Sequence, residues 1–439
     1  SRKSWRRTPR RRTFAPFVTE SERRGNTEFR RTVLSNGLTV LSEQMPGVRS
    51  VSFGAWVRSA SVHERADEMG VSHMLEHMVF KGTERRTAAE IALSLEAVGG
   101  ALDAYTSREH TVYQARVLDT HLHLAADVIG DMVFHPALRE VDLELERRVI
   151  LEEIAMVDDT PDDLVFELHN EALWGAHPLG YSILGTRDTV GRLGTSELRA
   201  LHSRAYHPEH IVVAAAGNVT HDGLLDVLTR AGWADMPQGG TPRPSVPPVS
   251  GVPNPSRRVD RDGAQTHVVV GSRAIAHRDP RRHALVLVSM LMGGGMSSRL
   301  FQRVREELGL AYAVYTFQSL HEMAGVHGVY VGTGPDTADS ALDAINAELA
   351  RIAAEGLPAT ELAMGKEQLK GQLVLSLESP GARMYRAASV ALYDEPYRTL
   401  DELLAAVDAV SDDMVREVAR EFFDPSVQTV LTLGPASAK

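Results

Sequence analysis

A chain of 439 residues with a formal net charge of −11 is too long for one ordinary core, so at least two domains are expected. Its 43% apolar and 24% charged residues are those of a globular protein, and no run approaches the roughly 18 apolar residues of a membrane helix, so no span is expected. Cysteine is absent, which excludes disulfides and thiolate metal sites and leaves His and carboxylate as the only ligands for any metal.

The first twelve residues carry seven basic groups (Arg2, Lys3, Arg6, Arg7, Arg10, Arg11, Arg12) and no acid, so the rest of the chain stands at −11 − 7 = −18. A block of like charge reads as a disordered arm, expected here over residues 1–27. The acidic body repels nucleic acid and anionic membranes and favours basic partners. No nucleic acid is therefore expected in the main function. The start lacks an apolar h-region; with cysteine absent, a cytoplasmic location is expected, an organellar matrix being the alternative.

In chain order, "SVSFGAWVRSAS" (50–61) alternates apolar and polar residues, as a half-buried strand does. Helical spacing follows over 70–81, with Val71, Leu75, Met78 and Val79 as the apolar stripe. His73 and His77 are i and i+4, which sets their imidazoles one turn apart on one face, as two ligands of a tetrahedral ion require. Glu76 lies beside them, able to act as a base without being a ligand. The order is the inverted zinc-protease motif H-x-x-E-H, although five residues also arise by chance as a core histidine pair. After "GGALDAYTSREHTVYQARV", helical spacing returns over 121–133 and 141–157. The second of these helices is expected to bury Val149, Ile150 and Ile154 and to offer Glu146 and Glu153, two turns apart, as the third ligand. Spacing alone does not choose between them. His110, His121, His123, His135, His169 and His177 show no ligand grouping.

The Pro-, Gly- and Ser-rich run "MPQGGTPRPSVPPVSGVPNPS" marks a linker, 237–256, between halves at 28–236 and 257–439. These halves look like distant copies: "THVVVGSRAIA" is again strand-like, "RRHALVLVSMLMGGGMSSRLF" again helical, and helical spacing recurs over 338–354 and 400–422. Two homologous α+β domains are expected, each a mainly antiparallel sheet with helices on one face. The second half has no counterpart of "HMLEH". Its "MGGGMSS" lacks the Gly-Lys-Ser/Thr of a phosphate loop and reads as a helix end. Arg305 and Tyr312, seven apart in "RLFQRVREELGLAYAVY", read on spacing as a helix-end arginine and a packed aromatic.

The stretch "HMLEHMVFKGTERRTAAEIALSLEAVGGALDAYTSREHTVYQARVL", with "ERRVILEEI" after it, resembles the pitrilysin family of zinc peptidases. Within that family it is similar to the branch of the mitochondrial processing peptidase and its bacterial relatives. The likeness runs from about residue 28 to the end. It implies one Zn2+ per chain held by His73, His77 and Glu153, with Glu146 behind the ligands and Glu76 as general base of a peptide-bond hydrolase. It further implies that Arg305 and Tyr312 serve the zinc site of an opposing half-molecule. Because one chain holds both motifs, a homodimeric clamshell is expected. Extended, possibly basic peptides would pair with Ala101, Leu102, Asp103, Ala104 and Tyr105, where Asp103 replaces the family's usual Asn. The competing expectation is a non-catalytic structural or peptide-binding subunit of the same fold, against which the intact His73, Glu76, His77 and Glu153 set argues.

Overall fold

The computed structural model describes residues 18–24, 27–239, 241–251, 253 and 256–436. Seven strands form the first sheet: β1 (Val18–Arg24), β2 (Thr27–Val33), β3 (Thr39–Gln44), β4 (Ser50–Val57), β5 (Ala101–Thr106), β6 (Thr111–Leu118) and β7 (Ile211–Gly217), in the order β1-β2-β3-β7-β4-β6-β5. Five form the second: β8 (Ser256–Asp260), β9 (Thr266–Ala274), β10 (Ala311–Leu320), β11 (Gly325–Thr333) and β12 (Thr429–Gly434), in the order β10-β11-β9-β12-β8. Without β1 and β2 the two orders are identical, and in each sheet one pair is parallel, β3 with β7 and β8 with β12. The repeat that is faint in the residues is complete in the topology.

Helices α1 (Val71–Val79), α2 (Ala88–Glu96), α3 (Leu122–Phe134), α4 (Glu140–Asp159), α5 (Pro161–Trp174), α6 (Arg187–Arg192), α7 (Thr195–Ala205) and α8 (His221–Arg230) belong to the first half. In the second lie α9 (Arg282–Gly293), α10 (Ala338–Glu355), α11 (Ala359–Ser376), α12 (Pro380–Leu392), α13 (Leu400–Asp408) and α14 (Asp412–Phe422). The helical spacing over 400–422 is thus two helices, since Ser411 caps the second by accepting from Met414 N at 3.2 Å. The glycine run does end α9, at Gly293.

Helices do not stay on one face. Val51, Phe53, Ala55 and Val57 of β4 turn to the main core with α1, α3 and α4, while Trp56 turns the other way with Val212, Ala214 and Ala216 of β7. That second face is covered by α12 of the other half, through Met384, Ala387 and Ala388. Reciprocally, α5 lays Val165 over Val269, Leu431 and Leu433 of the second sheet. The cause is legible in "IVVAAAG", which is apolar at both parities and so must be covered on both faces.

Two further differences concern the chain's connections. The arm expected to be disordered to residue 27 contains β1, paired with β2 from Val18↔Val33 to Arg24↔Thr27. Its sequence "VTESERR" hides this because edge strands are commonly blunted with charge; residues 1–17 lie outside the described residues. The Pro-rich run is not a free tether: Val246 and Val249 pack by Leu173, Trp174 and Leu179. His177 Nε2 lies 2.8 Å from Pro247 O.

Candidate metal centre

The helix that carries the motif is fastened at its start. Gly70 sits at φ +91°, where an added Cβ would lie 2.6 Å from Leu184 O, so only glycine fits. The first amides of a helix lack intrahelical partners. Here Glu64 supplies them, accepting from Gly70 N at 2.9 Å and Ser72 N at 2.8 Å. Burial pushes the Glu64 carboxyl up to about 7, against the pull of those amide bonds. Nothing in "HERADEMG" singles out Glu64 among its acidic neighbours, and sequence reasoning missed it.

From that anchor α1 buries Val71, Met74, Leu75, Met78 and Val79 in the main core, which leaves His73, Glu76 and His77 facing α4 and β5. His73 Nε2 lies 3.7 Å from Glu153 Oε2, and His77 Nε2 lies 3.6 Å from Glu153 Oε1. One ligand atom from each of the three residues falls within 4.8 Å of the others, a single such group among the described residues. Both separations exceed a hydrogen bond, so the three ligand atoms face one another across a shared space rather than bonding directly. On the far side, His77 Nδ1 meets Glu146 Oε2 at 3.0 Å. The other oxygen of Glu146 takes Lys81 Nζ at 2.6 Å. A proton held on Nδ1 by Glu146 leaves the Nε2 lone pair of His77 free, the arrangement a metal-ligating imidazole needs. Burial, and then His77, lowers His73 to about 4, so the His73 imidazole is neutral at pH 7. The donor set, two imidazoles and one carboxylate, fits one divalent ion of the zinc type, whose fourth position would fall to a non-protein ligand.

Glu76 is buried beside this group without entering it, and Thr106 Oγ1 donates to its Oε2 at 2.7 Å. Burial raises its pKa above the ordinary carboxylate range; Thr106 and His77 oppose this, while Glu153 and Asp103 add to it. Thr106 ends β5, the free edge of the first sheet. Along β5 exposure alternates: Ala101, Asp103 and Tyr105 are exposed, Leu102 and Ala104 half-buried. The Asp103 carboxylate receives a 3.4 Å bond from Gln114 Nε2 and has no cationic partner among the described residues. Tyr105 neighbours Tyr385, with ring centroids 6.4 Å apart.

Arg305 and Tyr312 lie on two backbone irregularities of the second half. Arg305 is in a π-helical turn, Phe301–Glu307, and Tyr312 falls at a β-bulge on the free edge strand β10, after Gly309 at φ +60°. Such departures commonly aim functional side chains. The Arg305 guanidinium stacks 4.7 Å from the Tyr312 ring centroid. Tyr312 is 78% exposed rather than packed. No hydrogen bond, ion pair or ring contact among the described residues joins either to His73, Glu76, His77 or Glu153. Val149, expected to be buried, is 44% exposed and joins Val141, Leu145 and Met156 in an uncovered apolar stripe along α4.

A buried helical His-x-x-Glu-His, a carboxylate pair from a second helix and paired α+β halves define a zinc metallopeptidase. The chain belongs to the insulinase family, peptidase family M16. Residues 39–187 match the family described as Insulinase (Peptidase family M16), and residues 193–369 match the Peptidase M16 inactive domain. An uncharacterized zinc protease of Streptomyces coelicolor is 40% identical over 422 residues, covering 93% of this chain and 90% of that protein. One from Bacillus subtilis is 37% identical over 400 residues, covering 90% and 96%. Among solved structures, a protease from Helicobacter pylori superposes with a TM-score of 0.88 at 21% identity, covering 94% of this chain and all of that one. The Peptidase M16 inactive domain from Pseudomonas fluorescens gives 0.87 at 18%, covering 94% and 98%; at these identities the likeness concerns the fold. The resemblance to a zinc peptidase family, the α+β class and the zinc dependence are therefore borne out. Among the described residues, no helix is long and apolar enough to cross a membrane.

Proposed function

We propose that this peptidase cuts extended or unfolded peptides, presequence-like segments among them, with His73, His77 and Glu153 as the zinc ligands and Glu76 as the general base. The observation that carries this reading is the convergence of one ligand atom from each of those three residues to within 4.8 Å, with Glu76 buried at their side. When bound, a zinc ion would act there as a Lewis acid, lowering the pKa of a water and polarising the scissile carbonyl. Glu76 receives the proton of the attacking water and returns it to the leaving amine. Thr106 orients the Glu76 carboxylate for both transfers, and Glu146 orients His77.

The free edge of β5 offers its backbone to an extended substrate, a mode that reads the chain rather than its side chains. Asp103, without a cationic partner among the described residues and beside Tyr105 and Tyr385, favours a basic residue in that substrate. Arg305 and Tyr312 act on the site of a second copy. Tyr312 is too exposed to be serving its own half, and the α4 stripe is an apolar face in need of cover. The dimer so formed encloses a chamber in which Arg305 grips the substrate backbone and the Tyr312 hydroxyl holds the developing oxyanion. A cytoplasmic location accords with the absence of cysteine.

The test pairs zinc content with cleavage of an unstructured, Arg-containing peptide, comparing wild type with Glu76→Gln. Both proteins should bind one zinc per chain, and the variant should lose turnover by ~10²–10⁴-fold. A wild type that holds zinc and cuts no peptide would leave the scaffold reading in its place. A wild type without zinc overturns the ligand assignment.

A further inference from the structure

Two residues past the end of α1, the chain is stitched to the segment that leads into α4. Arg139 donates from Nη2 to Lys81 O at 2.7 Å, and Ala137 N donates to Gly82 O at 3.0 Å. Held between the two helices that carry the candidate metal ligands, Lys81 reaches Glu146 and meets its Oε1 at 2.6 Å. The Glu146 side chain is buried, whereas that of Lys81 keeps about a third of its surface in water, 35%. Glu146 is the one ion-pair partner of Lys81 among the described residues.

The two oxygens of Glu146 are thereby divided. Oε1 takes the ammonium, and Oε2 takes Nδ1 of His77 at 3.0 Å. A buried carboxylate needs partners for both oxygens. With Oε1 unclaimed, it would turn to share one donor between the two, and its hold on His77 would loosen. Lysine and arginine differ in what they can do here. An ammonium is a compact point charge that occupies one oxygen, whereas a guanidinium fork takes both in parallel. A fork at position 81 would therefore compete with His77 for Oε2. The chain uses Arg for 42 of its 47 Lys and Arg residues, yet the cation beside Glu146 is one of its five lysines. Compositional bias runs against the residue found, and the geometry accounts for it.

We propose that Lys81 is a positioning residue for the metal centre: it claims Oε1 of Glu146 and so reserves Oε2 for the Nδ1 proton of His77. No hydrogen bond or ion pair among the described residues joins it to His73, His77 or Glu153. It acts on them through Glu146. The inference rests on the reading of those three residues as the zinc ligands.

Zinc affinity of the full chain, measured by competition with a chelator, tests this without recourse to catalysis. Lys81→Met should weaken zinc binding roughly 10-fold, the lower end of what losing a hydrogen-bonding partner behind a metal ligand costs. Lys81→Arg should not recover the loss, because its fork draws Oε2 away from His77. In a Glu146→Gln background, Lys81→Met should add no further loss, since the carboxylate through which it acts has already gone. Lys366→Met, which removes a lysine bonded to Asp408 O at 2.8 Å in the second half, should leave zinc affinity unchanged. Wild-type affinity in Lys81→Met, recovery in Lys81→Arg, or a loss that repeats in full in the Glu146→Gln background would each overturn the proposal. The last of these would make Lys81 a general support of the fold. A wild type that binds no zinc, or a His73→Gln variant that binds it as tightly, would instead remove the ligand reading beneath it.

Discussion

The two halves share one strand order and differ in what the helix beside the free edge strand offers. On the face that α1 turns to β5, Glu76 projects a carboxylate that Thr106 bonds at 2.7 Å. On the face that α9 turns to β10, Thr316 bonds Ser289 O at 2.7 Å instead. A Cβ added to Gly293 there would lie 2.5 Å from Thr316 N. Backbone meets backbone, with no room for an acid, and no histidine of α9 faces a carboxylate from another helix as His73 and His77 do. The edge strands diverge in the opposite sense: β5 pairs regularly, whereas β10 carries a bulge that throws Tyr312 outward. A duplicated frame thus leaves one copy holding the candidate metal-binding group and the other an exposed Arg/Tyr pair, and each lacks what its twin has.

The division can be broken most forcefully by mixing inactive subunits. If Tyr312 serves the opposing chain, Glu76→Gln and Tyr312→Phe proteins should each be weak alone. Refolded together, they should regain roughly a quarter of wild-type activity, since half of the dimers are mixed and each mixed dimer has one complete site of two. Activity no greater than the average of the two variants would place Tyr312 in cis or outside the chemistry. A smaller effect is expected at Glu146. Replacing it by Gln keeps the shape but removes the carboxylate that holds the His77 proton and Lys81, so zinc affinity should fall ~10–100-fold by competition with a chelator. An unchanged affinity would mean that α4 contributes Glu153 alone.

How much of this the sequence discloses follows from which signals are local. His73, Glu76 and His77 lie within five residues, and helical spacing alone places them on one face. Glu153 is two turns from Glu146 on a single helix, so sequence narrows the third ligand to a pair. Separating the pair takes tertiary geometry, in which Glu146 meets the Nδ1 side of His77 and Glu153 the Nε2 side. The reciprocal cover of the sheets by α12 and α5 is less legible, because it joins elements more than a hundred residues apart. Only the two-sided apolar runs of β7 and β9 hint at it. The bulge at Tyr312 and the cap at Glu64 are invisible in composition or period, since both consist of backbone groups finding partners.

That cap gives the finest test of the comparison, because α9 has a counterpart. Asp279 Oδ1 accepts from Arg281 N at 2.8 Å, just before α9. Its carboxylate is 21% exposed, and Arg281 also pairs with it. Glu64 is buried and bonds two amides at once, with no cation to help. Gln at position 64 can accept only one of them and points an amide donor at the other, which should cost about 1–3 kcal/mol of stability. Asn at 279 keeps an acceptor near water and should cost less than about 1 kcal/mol. The catalytic consequence should diverge further. Loosening the first turn of α1 shifts His73, Glu76 and His77 together, so Glu64→Gln should lower kcat several-fold with zinc still bound and KM little changed, whereas Asp279→Asn should leave kcat alone. If both variants lose stability and neither loses kcat, Glu64 is a structural cap like its counterpart, and the orientation of the motif is set by core packing beneath α1 instead.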